Sequence, residues 1–225
     1  MFLLVILLVA IAAGATASVV GFGIGSLLTP LVATRLGMPL AVALVAIPHA
    51  LATGLRCWRL RAAIDWPVLR SFGVVSALGG LAGAAAYTVL GSRALTVALG
   101  ILLLLTSFAT LTGWAARWTP HGPVVWLLGL ASGAFGGLAG NQGGLRAAAL
   151  GPFRLAPAAF VATATATGLL VDAARLPVYA IDLARMPRLP GEFWPYVAVA
   201  SDGVLIGTIR GERILFGLSR DRFRI

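Results

Sequence analysis

An all-α, polytopic transmembrane bundle is the fold class this sequence predicts, and three observations carry that reading. The 225 residues are 60% apolar and only 11% charged, with a mean hydropathy of +0.98, whereas about a quarter of residues carry charge in an ordinary soluble domain. The charges are gathered at breaks: residues 1–34, 36–55, 71–92, 94–116, 118–145 and 155–171 contain no Asp, Glu, Lys or Arg. Roughly 20 apolar residues span a bilayer as a helix, so most of these runs are long enough to cross. The runs are also apolar on every side and rich in Ala, Leu and Gly, which excludes the alternating strands of a membrane barrel. The same hydrophobicity excludes a disordered chain.

Taken in order, the runs predict about seven crossings, near 2–20, 39–55, 68–92, 94–116, 123–140, 155–171 and 193–209. The first ends in Ala15, Thr16, Ala17, which resembles a signal-peptidase site. A charged n-region is missing, however, and the apolar run continues to Thr34, so a retained helix is expected. The 34 residues before Arg35 would measure about 51 Å as one helix against a hydrocarbon core of about 30 Å. A break is therefore required, and residues 21–34 are expected to dip into the membrane and return to the side they entered from. The loop from Arg56 to Arg70 holds Arg56, Arg59, Arg61 and Arg70 against Asp65 alone, a balance that normally stays cytoplasmic. That places the amino terminus inside as well. The turn at Ser92 and Arg93 is short enough to make its flanking helices an antiparallel hairpin. With seven crossings Arg210, Arg213, Arg220, Arg222 and Arg224 fall outside, the wrong side for so many arginines.

The chain repeats itself, which predicts two halves, residues 1–117 and 118–225. Gly14, Ala15, Gly21, Gly25 and Leu36 are answered at a constant offset by Gly133, Ala134, Gly140, Gly144 and Leu155. Further on, Ala63, Ile64, Asp65 resembles Ala180, Ile181, Asp182, and Gly79 with Gly83 resembles Gly203 with Gly207. The second half is expected to lack a counterpart of the helix at 94–116.

The formal charge of +10 comes from 17 arginines against seven acids, with no lysine. Most arginines lie between apolar runs, where they anchor at lipid headgroups, so the expected partners are membrane lipids and not nucleic acid. Cys57 has no cysteine to pair with and makes no metal site, and no metal or cofactor is expected. No H-E-x-x-H or G-x-S-x-G is present, and no catalytic residue is assigned.

Chemistry is expected at two glycine clusters. Gly21, Phe22, Gly23, Gly25 and Ser26 precede Pro30, and Gly140, Asn141, Gln142, Gly143, Gly144 precede Arg146. Glycines free the backbone from helical geometry, and the N–H groups that open the next half-helix can hold an anion. Matched interruptions in two halves point to a transporter's binding site. Gly23 and Gly143 are expected in non-helical backbone. Isolated pairs such as Gly79 and Gly83 are instead expected to pack helices closely. Asn141, Gln142 and the forked guanidinium of Arg146 could converge on an oxyanion, although Arg146 could also mark a headgroup boundary. His49, after Pro48, could couple movement to protons or cap a kink. Thr163 and Thr167 share a helical face and could line a path, or bond the carbonyl one turn back.

The G-F-G-x-G-x-x-x-x-P of Gly21 to Pro30, the basic loop closing on Ile64, Asp65, Trp66, the G-x-x-x-G helix, and Gly140 to Gly144 with Arg146 resemble the sulfite exporter TauE/SafE family. The resemblance covers most of the chain. It implies a multi-pass inner-membrane permease of two homologous halves for sulfite or a related sulfur-containing oxyanion, working by alternating access. Asn141 and Gln142 stand where that family commonly has glycine, and no proline follows within Ala147 to Leu150. A small anionic substrate and lipids are the implied partners, with a homo-oligomer left open. The rival classes are a structural or assembly membrane protein without transport, and an intramembrane enzyme.

Overall fold

In the computed structural model, which describes residues 1–113 and 120–217, the glycine clusters end helices and turn the chain back on itself. Helix α1 (Phe2–Val20) stops at Gly21, whose left-handed backbone (φ 85°) lets its N–H reach the Ala17 carbonyl. After Phe22 and Gly23 (φ 136°), α2 (Ile24–Leu36) begins. Next comes α3 (Met38–Leu60), with Pro39 in its first turn. Asp65 then caps a helical span, α4 (Trp66–Val89), by accepting the Val68 N–H at 3.0 Å. A π turn at Leu69–Gly73 interrupts that span. There follow α5 (Ser92–Leu111), α6 (Pro123–Ala139), α7 (Gly143–Leu150), α8 (Pro157–Ala184) and α9 (Phe193–Gly217). No strand occurs among the described residues.

The all-α membrane bundle is therefore what the sequence folds into. Five helices are long and apolar enough to cross a membrane, α1, α3, α4, α5 and α8. Helix α6 is 17 residues long, and α9 carries Asp202, Arg210, Glu212 and Arg213. Outward-facing Leu104, Leu105, Phe108 and Leu127 give the bundle an apolar, lipid-compatible surface.

Helix directions follow from side-chain contacts. Arg35, in the last turn of α2, stacks over the Phe2 ring at 5.0 Å, so α2 runs back beside α1 to the end where the chain began. The expected dip, which would have left Arg35 at the far end, is thereby corrected. Phe2 also meets Tyr196 at 5.3 Å, so α9 starts at this same end and runs parallel to α1. At the opposite end Arg59 forms an ion pair with Glu212 of α9, and Arg210 and Arg213 lie in this last part of α9. The carboxyl-terminal arginines of the described chain thus share an end with the Arg59 and Arg61 cluster, which removes the conflict that counting crossings had produced. Arg220, Arg222 and Arg224 lie outside the described residues.

Two seams of small residues hold helices from different parts of the chain together. A Cβ at Gly79 would strike the Leu130 carbonyl, one at Gly83 the Ala134 carbonyl and one at Gly137 the Gly80 carbonyl, which locks α4 to α6. The second seam joins α1 to α9, where Gly14 lies against Val204 and Gly207 against Ile11. Close backbone approach of this kind is how helices associate without a hydrophobic driving force. The packing expectation for Gly79 and Gly83 holds. Helix α5 differs from expectation: it leans on α6 and α3 and does not pack back along α4.

Gly83→Leu is expected to push α4 from α6 and cost about 3 kcal/mol or more, the upper range for an overpacked contact. Gly54→Ala, where an added Cβ meets nothing within 4 Å, should leave stability unchanged or slightly raised. Thermal midpoints in detergent check both, and equal midpoints would show that the seam does not hold the bundle.

Candidate functional site

Helices α6 and α7 repeat the path of α1 and α2 from the opposite end. Gly140 closes α6 in a left-handed conformation (φ 72°), and the chain returns until Phe153 meets Phe72, at the start of α4, at 6.5 Å. The two broken hairpins touch at their tips. A Cβ at Gly25 would fall on the Gly140 carbonyl, and one at Gly143 on the Phe22 side chain. Ser26 Oγ donates to Asn141 Oδ1 at 3.1 Å, and Arg146 donates through Nη2 to the Gly21 carbonyl at 3.2 Å. Gly21, Phe22, Gly25, Gly140, Asn141, Gly143 and Arg146, read from distant parts of the sequence, are thus neighbours.

Some placements differ from expectation. Gly23 is non-helical, but Gly143 is the first residue of α7, because the turn from α6 is completed by Gly140, Asn141 and Gln142. Gly144 faces Thr106 of α5. Thr163 Oγ1 accepts the Asp65 N–H at 2.9 Å and so anchors the start of α4. Thr167 is fully buried with no partner at its hydroxyl, as is Thr165.

Arg146 is 2% exposed, so the headgroup reading is excluded. Its guanidinium lies over Gly168 of α8, where a Cβ would come within 2.8 Å of Nη1. That Nη1 has no hydrogen-bond partner, and neither does the buried amide of Gln142. An unmet charged donor in the interior is costly.

Beside Arg146 is a network that the charge-free runs concealed. Asp172 is fully buried in the middle of α8, not at the edge of a run, since α8 continues to Ala184. Its carboxylate takes His49 Nδ1 at 2.7 Å, Thr53 Oγ1 at 3.0 Å and Arg175 Nε at 2.9 Å. Arg175 also donates through Nη1 to the Gly136 carbonyl at 2.6 Å. Missed from sequence, Asp172 and Arg175 stand three residues apart, a spacing at which opposite charges meet on one helix face and neutralise each other. Arg56, read as a loop residue, is inside α3 and 1% exposed.

A cavity of about 340 Å³ lies between α3 and α8, lined by Ala43, Ile47, Leu176 and Tyr179. Its walls carry no charge, so it is not the place where an anion would be held. No cluster of metal-ligating side chains occurs among the described residues.

A family model described as "Sulfite exporter TauE/SafE" matches residues 6–225. No curated protein and no solved structure was found to match the chain.

Proposed function

Because the chain belongs to the sulfite exporter TauE/SafE family of membrane transporters, we propose that it carries sulfite or a related sulfur-containing oxyanion across the cell's inner membrane. The observation that carries this reading is Arg146, buried between the two hairpin tips with one N–H group bonded to Gly21 and Nη1 unmet. A planar guanidinium with a free donor suits an oxyanion. Gly21, Phe22, Gly23, Gly25, Gly140, Asn141, Gln142, Gly143 and Gly144 form the tips around it, and Thr167 presents a hydroxyl from α8.

Two halves, 1–117 and 118–225, supply one hairpin each, entering from opposite ends, with the substrate held where they meet. Such inverted broken helices fit alternating access by rocking one half against the other. The end carrying Arg59, Arg61, Arg210 and Arg213 is cytoplasmic by its charge, which puts the amino terminus outside. Single cysteines at Thr34 and Arg61 in a Cys57→Ser background test this with an impermeant thiol reagent on intact cells. Labelling at 34 and not at 61 is expected, and the reverse would invert the orientation.

His49, held by Asp172 and facing a helix that also bears Arg175, is the group through which proton movement would couple to the anion. His49→Gln should flatten the dependence of transport on a pH gradient. The transporter reading itself is tested by uptake of labelled sulfite into proteoliposomes. Accumulation above that of empty vesicles is expected, and rates equal to theirs would favour the assembly-protein reading, in which the glycines only pack.

A further inference from the structure

Among the described residues, Arg56 is a buried cation with no carboxylate within ion-pair distance. It is 1% exposed, and its Nε and Nη1 have no hydrogen-bond partner. The two acids within its electrostatic reach form their ion pairs with other cations, Glu212 with Arg59 and Asp172 with His49 and Arg175. Arg146 likewise has no carboxylate within ion-pair distance among the described residues.

Helix geometry sets these two cations at one level. His49 and Thr53 of α3 bond Asp172 of α8, and Asp65 beyond α3 bonds Thr163 near the start of α8. The two helices are therefore antiparallel. Arg56 is three residues past Thr53, about 4.5 Å along α3, and Gly168 is four residues before Asp172, about 6 Å along α8 in the same direction. Arg146 lies over that Gly168, and it is within electrostatic reach of Arg56.

Two like charges close together in a low-dielectric interior repel, and an anion between them turns that repulsion into attraction.

Resting on the transporter reading, we propose that Arg56 is the second arm of the anion site and closes with Arg146 on one doubly charged oxyanion. Two guanidinium groups outside any ion pair among the described residues match two negative charges, so the site selects divalent over monovalent anions of the same shape. A lipid phosphate is not the ligand, because Arg56 is covered on all sides.

The test is displacement of labelled sulfite from the purified full chain in detergent by sulfate and by methanesulfonate, which share a sulfonyl geometry and differ by one charge. Sulfate is expected to displace at a concentration at least about tenfold lower. Arg56→Gln should weaken sulfite binding by about tenfold or more, as loss of a charged hydrogen-bonding group does, and bring the two competitors within about threefold. Arg56→Lys keeps the charge and should keep most of the preference for sulfate, and if Arg56→Gln does not fold, the preference of the parent protein for sulfate over methanesulfonate still tests the proposal. Sulfite binding and selectivity unchanged in Arg56→Gln would overturn the second arm while leaving the transporter reading intact. Equal displacement by the two competitors in the parent protein would do the same, and absence of sulfite binding in the parent would overturn both.

Discussion

Arg146→Gln is expected to slow sulfite transport into proteoliposomes by about tenfold to a hundredfold while the protein remains folded. The side chain sits where the two hairpin tips meet, with Nη2 on the Gly21 carbonyl and Nη1 unmet. Glutamine keeps an amide donor that can serve Gly21 but removes the charge and the forked geometry. A hydrogen bond to a charged group contributes about 1.5–3 kcal/mol, which corresponds to that range of rates if the interaction is with the moving anion. Arg146→Lys keeps a charge that is a point and not a fork, so it should retain an intermediate rate. A purely structural Arg146 would give a different pattern, with stability lost in both variants and no dependence on sulfite concentration. Wild-type rates in Arg146→Gln would exclude it from the site.

The sequence revealed the breaks but not their direction. Too long for one straight helix, the run before Arg35 demanded an interruption at Gly21 to Gly25, and the matching glycines at 140 to 144 located its counterpart. Nothing in that pattern said whether the chain after Gly23 goes on or turns back, because both paths need the same freed backbone. Contact between Arg35 and Phe2 decides it, and that contact joins residues whose identities suit either an exposed loop or an interface. Arg146 was visible because its charge ends an otherwise uncharged run beside two amides.

Buried ionic partners were harder to see for a physical reason. A charge normally marks the end of a membrane span, so Arg56 and Asp172 were read as boundaries. Each is instead carried inside: Asp172 is compensated by three donors on two helices. Such compensation exists only in three dimensions, and the spacing of Asp172 to Arg175 was its one trace in the chain.

Asp172→Ala should destabilise the protein by about 3–5 kcal/mol, the cost of removing one partner of a buried ion pair. Arg175 would keep its charge with the Gly136 carbonyl still accepting from it, and His49 would lose its carboxylate partner, while Thr53 keeps the His49 carbonyl as acceptor. Because these groups lie on α3 and α8, the damage should loosen that helix pair first. Replacing both charges with apolar residues of similar volume separates the pair's contribution to stability from its contribution to function. In Asp172→Leu combined with Arg175→Met neither charge is stranded, and such replacements of buried pairs are often neutral. The double variant is therefore expected to recover to within about 1–3 kcal/mol of the parent, the remainder being the lost Arg175 bond to the Gly136 carbonyl and His49 left unmet. Its sulfite transport should stay low if the network couples movement of the two hairpins. Thermal midpoints in detergent and vesicle uptake, measured on the same preparations, separate the two effects. A double variant as unstable as Asp172→Ala would show that the network holds the fold by its polar geometry and not by cancelling charge.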